Sequence, residues 1–201
     1  MVAARKSAES PPPSTAAAPR LRADAQRNRD RLLEVADEVF SEQGAAASLD
    51  DIARRAGVGI GTLYRHFPTR DALLLATLGD RLALIGKKGK ALLGSESASE
   101  GLAAWMKLMI KHTSTYCGLA ASLGGTLEGL TSACEVARAA GAELLERAQK
   151  AGEIRQEVPF SDVESMVMAI AFAAERAPGD KGRMRRLLAL LFEGLRPRGA
   201  G

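Results

Sequence analysis

The stretch Ser48–Arg70, SLDDIARRAGVGIGTLYRHFPTR, decides how this chain is read. Two short amphipathic segments flank a Gly57-Val58-Gly59 turn. Ser48 stands where an N-cap belongs, with Asp51 three residues on as an acidic variant of the capping box. The spacing predicts a helix over Leu49–Ala56 that buries Ile52, Ala53 and Ala56 and closes at Gly57. A second helix is expected over Ile60–Phe67, terminated by Pro68, whose ring cannot continue the hydrogen-bond ladder. Two short helices joined by a three-residue glycine turn make a helix-turn-helix. Ile52, Ala56, Val58, Leu63 and Phe67 supply its small core.

With Leu63 and Phe67 inward, the helical wheel turns Gly61, Thr62, Tyr64 and Arg65 outward and leaves Ile60 borderline. Glycine, a hydroxyl, a phenol and a guanidinium on one short helix suit a nucleic-acid groove and its phosphates. Gly59 and Gly61 each cost the helix roughly 1 kcal/mol relative to alanine. Helix stability does not ask for them, whereas close approach of backbone to DNA does. The plainer reading is a turn glycine followed by a tolerated one. Free amides at this helix N-terminus also suit a phosphate.

Outward from this segment the chain reads as helix throughout, an all-α fold. Residues 1–22 form a basic, Pro-rich tail around Pro11-Pro12-Pro13 that is expected to be disordered. A first helix is expected over Ala23–Gln43, with Leu32, Leu33, Ala36, Val39 and Phe40 on one face. Residues 23–68 then make the DNA-binding unit and 69–198 a C-terminal helical domain. There Thr69 caps a helix over Arg70–Lys90, and Ser97-x-x-Glu100 opens one through Thr113. A short helix over Tyr116–Leu123 follows, then one from Ser132-x-x-Glu135 to Ala151. Ser161-x-x-Glu164 opens the next, to Arg176, and Asp180 caps the last, to Arg196. The count is about nine helices, with no convincing strand and no internal repeat.

The chain has 201 residues, 46% of them hydrophobic, which is enough to bury a core unaided. Its net charge of +4 sits wholly at one end. Residues 1–31 hold seven basic and three acidic groups, leaving 21 of the 28 basic and 21 of the 24 acidic groups to cancel elsewhere. The excess reads either as a footprint for a polyanion or as a solvated tail. Cys117 and Cys134 form no C-x-x-C pair, so reduced thiols and no zinc or redox motif are expected. The longest uninterrupted apolar run, Met166–Ala174, is too short to span a membrane. The first 20 residues lack the apolar stretch of a signal peptide, so a cytoplasmic, nucleoid-associated location is expected.

Residues 27–78 resemble the N-terminal domain of the TetR/AcrR transcription regulators. The resemblance rests on Ile52–Leu73, IARRAGVGIGTLYRHFPTRDAL, with its small turn, Thr-Leu-Tyr, His-Phe and a basic residue just past the second turn. It implies three N-terminal helices for DNA and a C-terminal domain of about six for dimerisation and ligand. By position it implies that Ile60 and Gly61 face base edges, and that Thr62, Tyr64 and His66 hydrogen-bond phosphates. Arg70 would pair with a phosphate from the start of the fourth helix, and Ser48 would touch the backbone. Arg65 sits at a variable position able to reach base or phosphate. Asp50 and Asp51 depart from what a phosphate-facing helix wants, which puts base contact from that helix in doubt. Arg20, Arg22, Arg27 and Arg29 would form an arm along the backbone or into a minor groove. His66 has no Ser, Cys or carboxylate arranged around it as a triad requires.

The C-terminal half is less explicit. The helices at about 161–176 and 180–196 carry more apolar surface than one protomer core can absorb. Two such helices per subunit would build a four-helix homodimer interface, the arrangement the resemblance implies. Trp105, Met109, His112, Tyr116, Cys117 and Glu128 are candidates for a small-molecule pocket among the middle helices, each also readable as ordinary core or surface. Two histidines are too few for a histidine-rich metal sensor, and no cofactor is expected. Leu144–Val158, LLERAQKAGEIRQEV, resembles a segment found in a subset of these regulators. The favoured reading is a ligand-responsive repressor binding a palindromic double-stranded operator as a dimer. One alternative is a small-molecule or lipid carrier with a non-functional helix-turn-helix. Another is a small helical enzyme, for which no nucleophile–base pair stands at interpretable spacing.

Overall fold

The computed structural model describes residues 17–121, 130–176, 179–180 and 182–197, with the side chains of 17–22, 45 and 117–121 left out. Among these residues there are eight α-helices and no strand. They are α1 (Ala17–Gln43), α2 (Leu49–Ala56), α3 (Ile60–His66), α4 (Arg70–Leu92), α5 (Ala98–Ala121), α6 (Thr131–Lys150), α7 (Phe160–Glu175) and α8 (Arg183–Leu195). A 3₁₀ turn, Gly44–Ala46, links α1 to α2.

The core falls into two parts. Leu32, Ala36, Val39 and Phe40 of α1 meet Ile52 of α2, Leu63 of α3 and Leu73, Leu74 and Leu78 of α4. This head lies under the N-terminal half of α4. The second core gathers Leu102, Trp105, Met106 and Ile110 of α5 with Leu144 of α6, Val167 of α7 and Leu188 of α8. α4 belongs to both, since Leu82 and Ile85 join the second cluster. Tyr116 of α5 joins the head cluster as well, so α4 and α5 both connect the head to the body.

α4 and α6 approach closely because small residues line their crossing. A Cβ on Gly86 would sit 2.7 Å from Val136 Cγ1, and one on Gly89 would sit 2.7 Å from Ala140 Cβ. On the facing side, a Cβ on Gly141 would overlap the Trp105 indole. The indole fills the space that Gly89 and Gly141 leave, and its Nε1–H donates to the Ala137 carbonyl at 3.0 Å. Trp105 is 1% exposed. It packs as core, one of the two readings the sequence left open, and is not among the residues lining the cavity between the middle helices.

Three local differences from the sequence reading have simple causes. α1 begins at Ala17, inside the stretch expected to be tail. Pro19 falls in its first turn, where an amide proton has no intrahelical partner to lose. α5 runs unbroken across the expected gap after Thr113. The Ser114 and Thr115 hydroxyls both donate to the Lys111 carbonyl, at 3.2 and 2.8 Å, so these residues join the helix. Last, the residues expected to cap are unevenly used. Thr69 accepts from the Ala72 amide at 3.0 Å and Ser97 from the Glu100 amide at 3.2 Å. Ser48 is the N-cap residue of α2 but its side chain makes no cap bond, and Leu130 and Pro159 take the cap positions of α6 and α7.

The segment Leu144–Val158 is explained by what it holds together. Gly152 ends the turn after α6 at φ +70°, and Ile154 is buried beyond it. Glu153 reaches across to the start of α5, accepting from the amides of Ala98 and Ser99 at 3.2 and 2.8 Å and from the Ser97 hydroxyl at 3.0 Å. These donors hold its carboxyl at about 2, well below the usual carboxylate range.

Candidate nucleic-acid interface

The head presents α3 to solvent on the side away from its core. Leu63 and Phe67 are buried at 0% and 3% exposure, as the wheel requires, while Ile60 and Tyr64 stand 37% and 48% exposed. Gly61 and Arg65 are exposed, and Thr62 and His66 are half-buried beside them. A Cβ built on Gly59 or Gly61 meets nothing within 4 Å. Neither glycine answers a packing demand of this chain, and neither has positive φ. Of the glycines around the helix-turn-helix turn, only Gly57 needs the left-handed region, at φ +72°.

Ser48 lies exposed at the start of α2. The two neighbouring carboxylates part company. Asp51 accepts from Gln43 at 3.1 Å, from Arg55 at 2.9 Å and from Arg54. The Arg54 guanidinium, first among these partners, holds its carboxyl below the usual range. Asp51 is thus spent on internal pairing and only Asp50 remains as an exposed carboxylate on that turn. Arg54 and Arg55 stand three and four residues on along the same helix, a spacing legible in the sequence, whereas Gln43, and Glu42 at 2.8 Å from Arg55, approach only through the tertiary fold.

Arg70, at the start of α4, is half-buried with its guanidinium 5.5 Å from the Phe40 ring centroid. Arg29 lies 5.5 Å from the Phe67 ring centroid. Each braces the head while keeping a charge at its edge. Arg27 pairs with Asp24 on the surface of α1. The side chains of Arg20 and Arg22 lie outside the described residues.

Among the middle helices lies a cavity of about 330 Å³, open to solvent on one side and lined by Leu78, Leu82, Met109, His112, Tyr116, Leu130 and Met168, among others. Three of the six pocket candidates, Met109, His112 and Tyr116, come together here. Trp105 does not, for the reason above, and the Cys117 side chain and Glu128 lie outside the described residues. Sequence reasoning missed Leu78, Leu82, Cys134, Arg138, Glu164 and Met168. They come from three different helices, and no local pattern marks residues that converge only when α4, α6 and α7 pack. Tyr116 is 2% exposed, and its hydroxyl donates to Asp37 of α1, which also pairs with Arg81 of α4. Burial, and then the Asp37 carboxylate, push the Tyr116 phenol up.

His112 is 7% exposed, and its Nδ1 has no hydrogen-bond partner. Burial, reinforced by the positive Arg81, lowers it from 6.5 to about 4. The unfolded chain takes up this proton near 6.5 and the folded chain only near 4, so the unfolded state binds more protons between the two. Stability is therefore expected to fall by about 3 kcal/mol as pH drops through that window. Urea denaturation between about pH 7 and pH 4 checks this, and His112→Phe should remove most of the slope.

Among the described residues no helix is long and apolar enough to cross a membrane. Nor do three or more His, Cys, Asp or Glu side chains gather there as a metal site would need.

A trihelical head whose third helix offers its outer face, carried on a helical body, defines a helix-turn-helix DNA-binding protein. Comparisons make this particular. Residues 32–77 match the model of bacterial regulatory proteins of the tetR family, and residues 97–197 match that of the SbtR-like transcriptional regulator C-terminal domain. The chain belongs to the TetR family of transcriptional regulators, a family of DNA-binding proteins and not of enzymes. A TetR transcriptional regulator from Streptomyces coelicolor is 35% identical, with TM-score 0.74 over 85% of this chain and 99% of that one. A TetR regulatory protein from Mycobacterium vanbaalenii is 36% identical, with TM-score 0.70 over 88% and 99%. HTH-type transcriptional regulators of Staphylococcus aureus are 44% identical over 54 residues, 26% of this chain and 29% of theirs. The chain thus spans under a third of the length of these curated relatives. The TetR-like regulator LfrR from Mycobacterium smegmatis, solved in complex with proflavine, shares the fold at 21% identity, with TM-score 0.62 over 86% and 98%.

Proposed function

We propose that the chain is a homodimeric, effector-responsive repressor that reads a palindromic operator through α3 and acts on the nucleoid in the cytoplasm. The observation that carries this is the outer face of α3, where polar side chains surround a glycine that the fold itself does not need. Ile60 and Gly61 would lie against base edges, Ile60 reading a thymine methyl or excluding water. Thr62, Tyr64, His66, Arg70 and Ser48 would hold phosphates, with Arg65 reaching either. Arg20, Arg22, Arg27 and Arg29 would extend the footprint along the backbone from α1.

Support for the dimer comes from α7 and α8. Met166, Phe172 and Leu190 are 44%, 50% and 63% exposed, and Val163, Met166, Ile170, Leu187, Leu190 and Leu191 line a groove of about 490 Å³ between the two helices. Apolar surface of this kind is what a two-fold four-helix interface covers. Such a dimer places two α3 helices about one DNA turn apart, roughly 34–36 Å or somewhat more.

Support for effector control comes from α4, which runs from the head to the cavity and supplies Leu78 and Leu82 to its wall. The Tyr116–Asp37–Arg81 cluster ties α5, α1 and α4 together at the same level. A molecule preferring a cavity shape with α4 displaced would lower operator affinity by as much as it prefers that shape, and no more.

Selection of bound fragments from genomic DNA with purified chain, whose mass by light scattering should be that of two subunits, supplies the operator. On that operator, Tyr64→Phe combined with Arg70→Ala is expected to weaken binding, and the loss of the Arg70 charge to lower the salt slope by about one. An unchanged slope would favour a carrier with a vestigial head.

A further inference from the structure

The His112 ring forms part of the wall of the cavity between α4, α5, α6 and α7, and one of its nitrogens is buried without a partner. His112 is buried to all but 7%, and its Nδ1 makes no hydrogen bond while the side chain lines the cavity. An orphaned ring nitrogen is costly to keep, so it asks for a ligand. The rest of the wall is chiefly apolar, from Leu78, Leu82, Met109, Leu130 and Met168.

Charge complementarity narrows the ligand. The Arg138 guanidinium and the Glu164 carboxylate on the wall are joined by two bonds, at 2.5 and 2.7 Å, and so neutralise each other. Arg81 and Asp37 are likewise paired. The Cys134 thiol is pushed up by burial and stays uncharged. His112 itself is held neutral by its burial and by Arg81. A charged guest would be desolvated with no counter-charge free to receive it. A neutral imidazole offers at Nδ1 either a lone pair or an N–H, depending on its tautomer. A hydroxyl both donates and accepts, and so satisfies either tautomer.

We propose that the cavity takes a neutral, largely apolar molecule bearing a hydroxyl, which bonds to His112 Nδ1 while its hydrocarbon part lies against the leucine and methionine wall. This rests on reading the cavity as the effector site. Because the charges in reach are already paired, carboxylate and ammonium guests are disfavoured at the same position.

Calorimetric titration of the full chain near neutral pH with 1-naphthol, naphthalene and 1-naphthoate tests it. 1-Naphthol should saturate one site per chain and bind at least about ten-fold more tightly than either of the others, the value of one good hydrogen bond. His112→Phe should erase the preference for the hydroxyl while retaining naphthalene, and should raise the thermal midpoint by removing the orphaned nitrogen. Met168→Trp, at a half-exposed wall position, should block all three guests in a folded chain. Naphthoate binding as tightly as naphthol, a hydroxyl preference that persists in His112→Phe, binding unaffected by Met168→Trp, or no saturable heat from any guest would each overturn the proposal. The effector reading fails separately: naphthol that binds as described but leaves operator affinity unchanged removes the control of DNA binding and not the ligand class.

Discussion

Gly61→Glu is expected to abolish operator binding while leaving the fold as stable as before or more so. Nothing lies within 4 Å of a Cβ at this position, and its φ is not positive, so the free protein tolerates a side chain there. The position is the second of α3, where an acidic side chain meets the positive end of the helix dipole. Losing a glycine from the helix adds to that, and the two together contribute up to about 1 kcal/mol of stability. At the DNA surface every sign reverses. The side chain holds the backbone away from the groove, and its carboxylate faces phosphates. Loss of at least about 100-fold in affinity is expected, near the upper end of what one spoiled base-pair contact costs. Fluorescence anisotropy on the selected operator and calorimetric melting read the two effects independently. Operator affinity that survives the change would take α3 out of the interface.

Gly141→Ala carries the opposite expectation from the same residue type. Helix propensity alone says the substitution gains roughly 1 kcal/mol. The Trp105 ring stands where the new methyl group would go, and Trp105 is buried with its Nε1–H tied to the Ala137 carbonyl. Overpacking of this severity costs about 3 kcal/mol, which outweighs the propensity gain. The net loss of about 2 kcal/mol, at roughly 2–4 °C per kcal/mol for a chain of this size, lowers the melting midpoint by about 4–8 °C. The cost should shrink sharply when Gly141→Ala is made in a Trp105→Leu background, because the two positions then no longer compete for one volume. An equal cost in both backgrounds would show that the α4–α6 crossing is not set by this contact.

Much of the head is legible in the order of its residues. α2 occupies Leu49–Ala56, the span its spacing predicts, because Gly57 and the Ile52–Ala53–Ala56 pattern are local signals. α3 likewise ends ahead of Pro68, within one residue of expectation. Local chemistry misleads where a distant group intervenes. Ser97 caps α5, but the carboxylate that completes that cap is Glu153, 56 residues away, and not Glu100. Asp51 reads as a liability toward phosphates although Arg54 and Arg55 stand three and four residues on, and Gln43 of α1 joins them only through the fold. Trp105 reads as a pocket aromatic because its neighbours Gly89 and Gly141 are separated from it by 16 and 36 residues of sequence.

From the sequence alone came the all-helical class, the helix-turn-helix and the outward set on α3, since each follows from the 3.6-residue period and from the turn chemistry of glycine and proline. The packing decided which glycines are free and which are wedged, which polar atoms are answered and which are left waiting, and where a cavity opens. Those properties depend on distances between helices, and a one-dimensional pattern constrains a helix's faces without stating what each face will meet.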